Sequence, residues 1–84
     1  MDEKLILNDG TEIKGHYIET ELRLFVYVWE LTLTEAFELL NDPEKTKKIT
    51  MIRNGVTQVV KGYKKLMSIS EESGGMIASS LKKG

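Results

Sequence analysis

The chain has no cysteine, and only one proline, one histidine and one tryptophan in 84 residues. Without cysteine there is no disulfide, thiolate metal site or cysteine nucleophile, and the absence suits a reducing compartment. With His16 as its single histidine, the chain has no second imidazole for a metal, and its acids do not fall at ligand spacing. No apolar run approaches the ~18 residues of a membrane span. Met1-Asp2-Glu3-Lys4 is too acidic for a signal peptide. The expectation is a soluble, cytoplasmic product with no membrane partner. The length supports a single domain over residues 1–84, with one modest core and little room for a deep catalytic cleft.

The strongest local signal is Leu31 to Ile49. Thr32-x-x-Glu35 is a capping box, in which the Thr32 hydroxyl accepts from the Glu35 amide and the Glu35 carboxylate reaches back. Leu33, Ala36, Phe37 and Leu40 recur at i, i+3, i+4 and i+7, one apolar stripe of a helix. Burying Leu33, Phe37 and Leu40 is worth roughly 5–9 kcal/mol, comparable to the net stability of a small domain. The stripe is therefore expected to lie on a sheet, with Phe37 in the core. Asp42-Pro43 stops the helix, and Asp42 can cap a short turn over Pro43 to Thr46.

Elsewhere the pattern reads as strand. Lys4 to Leu7 and Thr11 to Ile18 flank Asp9-Gly10, and Lys48 to Arg53 and Val56 to Lys61 flank Asn54-Gly55. Both are hairpin signals of type I′. Gly15 reads as a bulge and Gly62 as a bend. Leu22 to Trp29 is the strongest strand, with Leu22, Leu24, Val26 and Val28 on one face and Arg23, Phe25, Tyr27 and Trp29 on the other. Tyr63 to Ser70 and Met76 to Leu81 follow, and Lys82-Lys83-Gly84 should fray. The order β-β-β-α-β-β-β-β predicts an α+β fold. It would be an antiparallel meander of six or seven strands, curled or barrel-like, with one α-helix inserted after the third strand.

The net charge of −1 conceals an asymmetry: residues 1–42 carry ten acidic and three basic side chains, residues 43–84 three acidic and nine basic. Interleaved halves would neutralise each other across strands, which is the simpler expectation. The alternative is a bipolar surface that stacks head to tail on copies of itself or on a charged partner.

Chemistry is scarce. His16, with Glu12 and Glu19 nearby in sequence, is a weak general base and reads first as a half-exposed strand residue. Gly74-Gly75 lacks the lysine and helix of a phosphate loop, and serines 68, 70, 73, 79 and 80 lack a nucleophile elbow. The expectation is no enzyme, no cofactor and no metal. Phe25, Tyr27 and Trp29 read as a face covered by the helix, as a protein interface, or as a base-stacking surface backed by Lys47, Lys48, Arg53, Lys61, Lys64 and Lys65. A pI of about 5.8 argues against nucleic acid. The first and last strands are expected at the sheet edges. Met76, Ile77 and Leu81 of an uncharged last strand would then be open to a partner strand, and association with itself or a neighbour follows.

Leu7 to Glu12, Leu33-Thr34-Glu35-Ala36-Phe37, Asp42-Pro43-Glu44-Lys45-Thr46 before Lys48-Ile49, and Gly62-Tyr63-x-x-Leu66 carry a resemblance. Together they resemble small uncharacterised proteins from the tail-gene modules of tailed bacteriophages and prophages of Gram-positive bacteria. The similarity runs from Leu5 to about Ile69, and its most specific part is the helix followed by Asp-Pro-Glu-Lys-Thr. It implies a tail-associated structural or assembly role, with protein partners in the host cytoplasm or the virion. It supplies no catalytic residue. Trp29-Glu30 stands where the pattern leads one to expect a turn with glycine.

Overall fold

The computed structural model describes residues 3–84. Its strands are β1 (Glu3–Ile6), β2 (Glu12–Glu19), β3 (Arg23–Val28), β4 (Lys48–Arg53), β5 (Val56–Lys61), β6 (Tyr63–Glu71) and β7 (Ile77–Lys83). Helices α1 (Leu33–Leu40) and α2 (Pro43–Thr46) lie between β3 and β4, and a 3-10 turn (Ser73–Gly75) precedes β7. The α+β class and the helix after the third strand are as the sequence implies. Both predicted caps form: Glu35 N–H donates to Thr32 Oγ1 at 3.1 Å, and Thr32 N–H donates to Glu35 Oε1 at 2.9 Å. Glu44 N–H donates to Asp42 Oδ1 at 3.0 Å at the start of α2.

All seven strands form one antiparallel sheet in the order β5-β4-β1-β2-β3-β7-β6. This corrects the barrel: the sheet is open, and β5 does not pair with β6. It also corrects the edges, which are β5 and β6. The chain is not a simple meander, because β1 turns back onto β4 and β7 inserts between β3 and β6. Ile77 and Leu81 are accordingly core residues with no exposed surface. Lys82 and Lys83 do not fray; they pair with Arg23, Lys65 and Tyr63.

The alternation predicted for β3 is present over Arg23–Val28, but Leu22, expected on the buried face, lies outside the strand and is 73% exposed. Leu24, Val26 and Val28 are fully buried, while Arg23, Phe25 and Tyr27 are half-buried on the opposite face. The inner face continues through Leu5, Ile13, Ile49, Met51, Tyr63, Ile77 and Leu81. Gly15 belongs to it and is not a bulge. It pairs regularly with Val28, and a Cβ there would collide with the Tyr27 carbonyl and sit 3.1 Å from Val28 Cα. The Asn54-Gly55 turn has both central φ values positive, as type I′ requires. At Asp9-Gly10 only Gly10 does, and the Leu7 amide bonds Thr11 across a three-residue loop instead. Glu30 adopts φ 67, so it occupies the left-handed conformation that a glycine would supply before the helix.

The helix does not dock as its stripe suggests. α1 packs on β6 and α2 at one margin of the sheet, not flat on a sheet face. That contact buries Ala36 and Leu40 and half-buries Leu39, so the docked arc is rotated by roughly 60° from the predicted one, at 3.6 residues per turn. Leu33 and Phe37 fall outside it, 40% and 45% exposed. Phe37→Ala should therefore lower stability by less than about 1 kcal/mol, whereas Leu40→Ala should cost about 2–5 kcal/mol. Urea unfolding followed by Trp29 fluorescence measures both, and equal losses would contradict the observed docking.

Candidate interaction surfaces

Three surface features follow from the register. The first is the outer sheet face. Cross-strand partners Ile18 and Phe25, then His16 and Tyr27, place their side chains in adjacent rows, and Trp29 continues the β3 series. The His16 ring stacks on Tyr27 at 5.0 Å between centroids and lies 5.5 Å from Trp29. The helices pack elsewhere, so Phe25, Tyr27 and Trp29 stay half-exposed and the expectation of a helix cover fails. His16 Nδ1 lies 3.5 Å from Glu3 Oε2, and the other Glu3 oxygen forms an ion pair with Arg53, 3.1 Å from its Nε. Glu12 and Glu19, the acids near it in sequence, are not its partners. Among the described residues no cluster of three His, Asp or Glu side chains is arranged to hold a metal ion.

The second feature is a lysine corner. β5 and β6 are separated by Gly62 alone, which turns the chain with φ 86. Its N–H donates to the Lys47 carbonyl and its carbonyl accepts from the Gly84 amide, both at 3.2 Å. Lys48 pairs with Lys61, Lys65 with Lys82, and Tyr63 with Lys83. Lys47-Lys48, Lys61, Lys64-Lys65 and Lys82-Lys83 thus converge from three chain segments. All seven are exposed, and none is ion-paired among the described residues. Lys83 Nζ sits 5.4 Å from the Tyr63 ring centroid. Glu19 approaches here from β2, and its Oε2 accepts the Tyr63 O–H at 2.8 Å.

The third is an open groove of about 860 Å³ at the other end of β3, β6 and β7. Glu3, Glu30, Glu35 and Glu71 contribute four carboxylates to its wall, Lys14 the one cation and Trp29 the large apolar surface. Lys14 Nζ reaches Glu30 Oε1 at 3.4 Å, and Glu35 is held in the capping box.

Of the predicted interface residues, Phe25, Tyr27 and Trp29 share the outer face, whereas Ile77 and Leu81 point into the core and Met76 is half-buried beside Ile77. Of the serines, Ser79 donates to the Val26 carbonyl at 3.2 Å, and Ser68 and Ser80 bond each other at 3.0 Å. Neither the corner nor the groove is apparent from sequence spacing. Three Lys-Lys doublets, each at an element boundary, are the one local signal for the corner. No family model, curated protein or solved structure matches the chain.

The Tyr63 phenol ties the corner to the core. Burial, reinforced by its bond to the Glu19 carboxylate and by that charge, pushes its pKa up to about 12. The folded state therefore holds this proton more tightly than the unfolded chain, where tyrosine titrates near 10. The resulting stability is fully present below about pH 10 and is lost as pH rises through about 12. Tyr17, raised by burial and then by Glu19, acts with the same sign. Denaturant midpoints at about pH 8 and about pH 11 should show a smaller alkaline loss for Tyr63→Phe than for the wild-type chain. An unchanged loss would mean that this proton is not linked to folding.

Proposed function

We propose that this protein is a non-enzymatic structural or assembly module that acts through protein–protein contacts, in the setting of a phage or prophage tail. One observation carries the reading. The sheet buries one face, and among the described residues the other stays half-exposed, with His16, Phe25, Tyr27 and Trp29 gathered on it. Half-exposed aromatics combine large apolar area with few rotatable bonds, the composition found at the energetic centres of protein interfaces. The tail setting rests on the sequence resemblance alone. The partner is a second copy or a neighbouring tail protein, in the host cytoplasm or the virion.

A second reading, a small nucleic-acid-binding β-module, is favoured by the exposed lysines of the corner and by Arg23, which pairs with Lys82 in the row beside Phe25. Aromatics flanked by cations can stack bases and hold phosphates.

Co-purification of the chain with the products of flanking genes tests the first reading. Tyr27→Ala with Trp29→Ala should weaken the complex by roughly tenfold or more while leaving the fold intact by circular dichroism. A chain that neither self-associates nor binds any of those products would refute it.

A further inference from the structure

The corner and the groove carry opposite charge at opposite ends of the same strands. β6 begins at Tyr63 in the corner and ends at Glu71 in the groove wall, nine residues or roughly 25 Å apart. β3 starts at Arg23, paired with Lys82, and leads out to Trp29 and Glu30. Between the two ends, the ion pair that joins the acidic and basic halves of the sequence is Glu3 with Arg53. Lys4–Glu12, Lys14–Glu30 and His16–Glu3 stay within the first half. Among the described residues, neutralisation across strands between the halves occurs at Glu3–Arg53, and the lysines of the corner are left out of it.

From this we infer that copies of the chain stack head to tail, the lysine corner of one seated on the carboxylate-lined groove of the next. The inference rests on the assembly reading and names its partner. A parallel side-by-side contact would set lysines on lysines and carboxylates on carboxylates, whereas corner on groove matches charge. A closed antiparallel two-fold dimer would stop at two copies, so the head-to-tail stack is distinguished by growth beyond the dimer as concentration rises. The groove is large enough for several lysine side chains, whose methylene stems can cover Trp29 while the ammonium groups meet Glu30 and Glu71. A phosphate polymer satisfies the corner but is repelled by the groove, whereas a second copy uses both.

Sedimentation velocity on the full chain across concentration tests the contact. Concentration-dependent oligomers are expected at about 0.02 M salt, with dissociation to monomer at about 0.5 M, because screening shortens the reach of exposed charges. Lys61→Glu with Lys65→Glu, and separately Glu30→Lys with Glu71→Lys, should each remain monomeric at low salt with wild-type circular dichroism. An equimolar mixture of the two variants should associate again, since each supplies the end the other has lost. A wild-type chain that stays monomeric at low salt overturns the inference. If such a chain also retards a single-stranded oligonucleotide in a gel, the corner serves nucleic acid. Association that survives high salt and both charge reversals overturns it too, while leaving the assembly reading in place through another surface.

Discussion

β5 and β6 sit at opposite edges of a seven-stranded sheet, yet a single residue separates them in the chain. An open sheet meets that condition only if it curls until its two edges approach at one corner, and Gly62, with φ 86, makes the turn there. The curl produces a concave face, filled by Leu5, Leu24, Val26, Ile49, Met51, Tyr63, Ile77 and Leu81, and a convex face on which, among the described residues, Phe25, Tyr27 and Trp29 stay half-exposed. Short of hydrogen-bonded closure, the gap between the edges is occupied by the helices. α2 packs against β6 and β4, and α1 against β6. The chain after α2 is tied to Gly62, and the Asn8 amide to the Lys45 carbonyl at 2.8 Å. The helix is a plug at a margin, which is why it buries Ala36 and Leu40 but not Phe37.

That geometry explains what the sequence could and could not reveal. Local signals were legible because their causes are local. The Thr32/Glu35 box, the Asp42 cap, the Asn54-Gly55 turn and the two faces of β3 depend on spacing within a few residues. The edges are not legible in the sequence because strand adjacency is decided by partners far along the chain. β1 finds β4 across the helices and β7 inserts beside β3, so the uncharged run from Met76, which looked like an unprotected edge, is interior. Gly15 shows the same limit. A strand glycine reads equally as a bulge or as a close approach, and only the position of the Tyr27 carbonyl decides between them. For the candidate site, the aromatic row was readable from period-two alternation. The corner was not, because its lysines belong to segments that meet only through Gly62.

Net charge misleads for a related reason. A value of −1 and a pI of about 5.8 describe the sum, whereas a partner meets a surface. Acidic side chains fall in the loops and caps around Glu30, Glu35 and Glu71, and lysines at the strand ends around Gly62. The two ends of β6 thus differ in charge although neither is built from one half of the sequence: Glu71 of the second half lies in the groove wall, and Glu19 and Arg23 of the first half lie at the corner. An overall acidic composition is therefore no argument against an anionic partner at the corner, and the choice between nucleic acid and a second copy turns on where the carboxylates sit.

The corner also bears on folding itself. Lys48 opposite Lys61, and Lys65 and Arg23 on either side of Lys82, set like charges directly across strands, an arrangement that weakens a sheet. Tyr63 holds the Glu19 carboxylate near the cluster through its O–H, which sets one negative charge at this end of the sheet. Salt should then act in two opposing directions. In the free chain, screening relieves the repulsion among the lysines and strengthens the fold, whereas between copies the same screening weakens the attraction of corner for groove. A protein stabilised by hydrophobic burial alone would show the first effect weakly and the second not at all, so the pairing of the two responses is the physical signature of charge held apart for a partner.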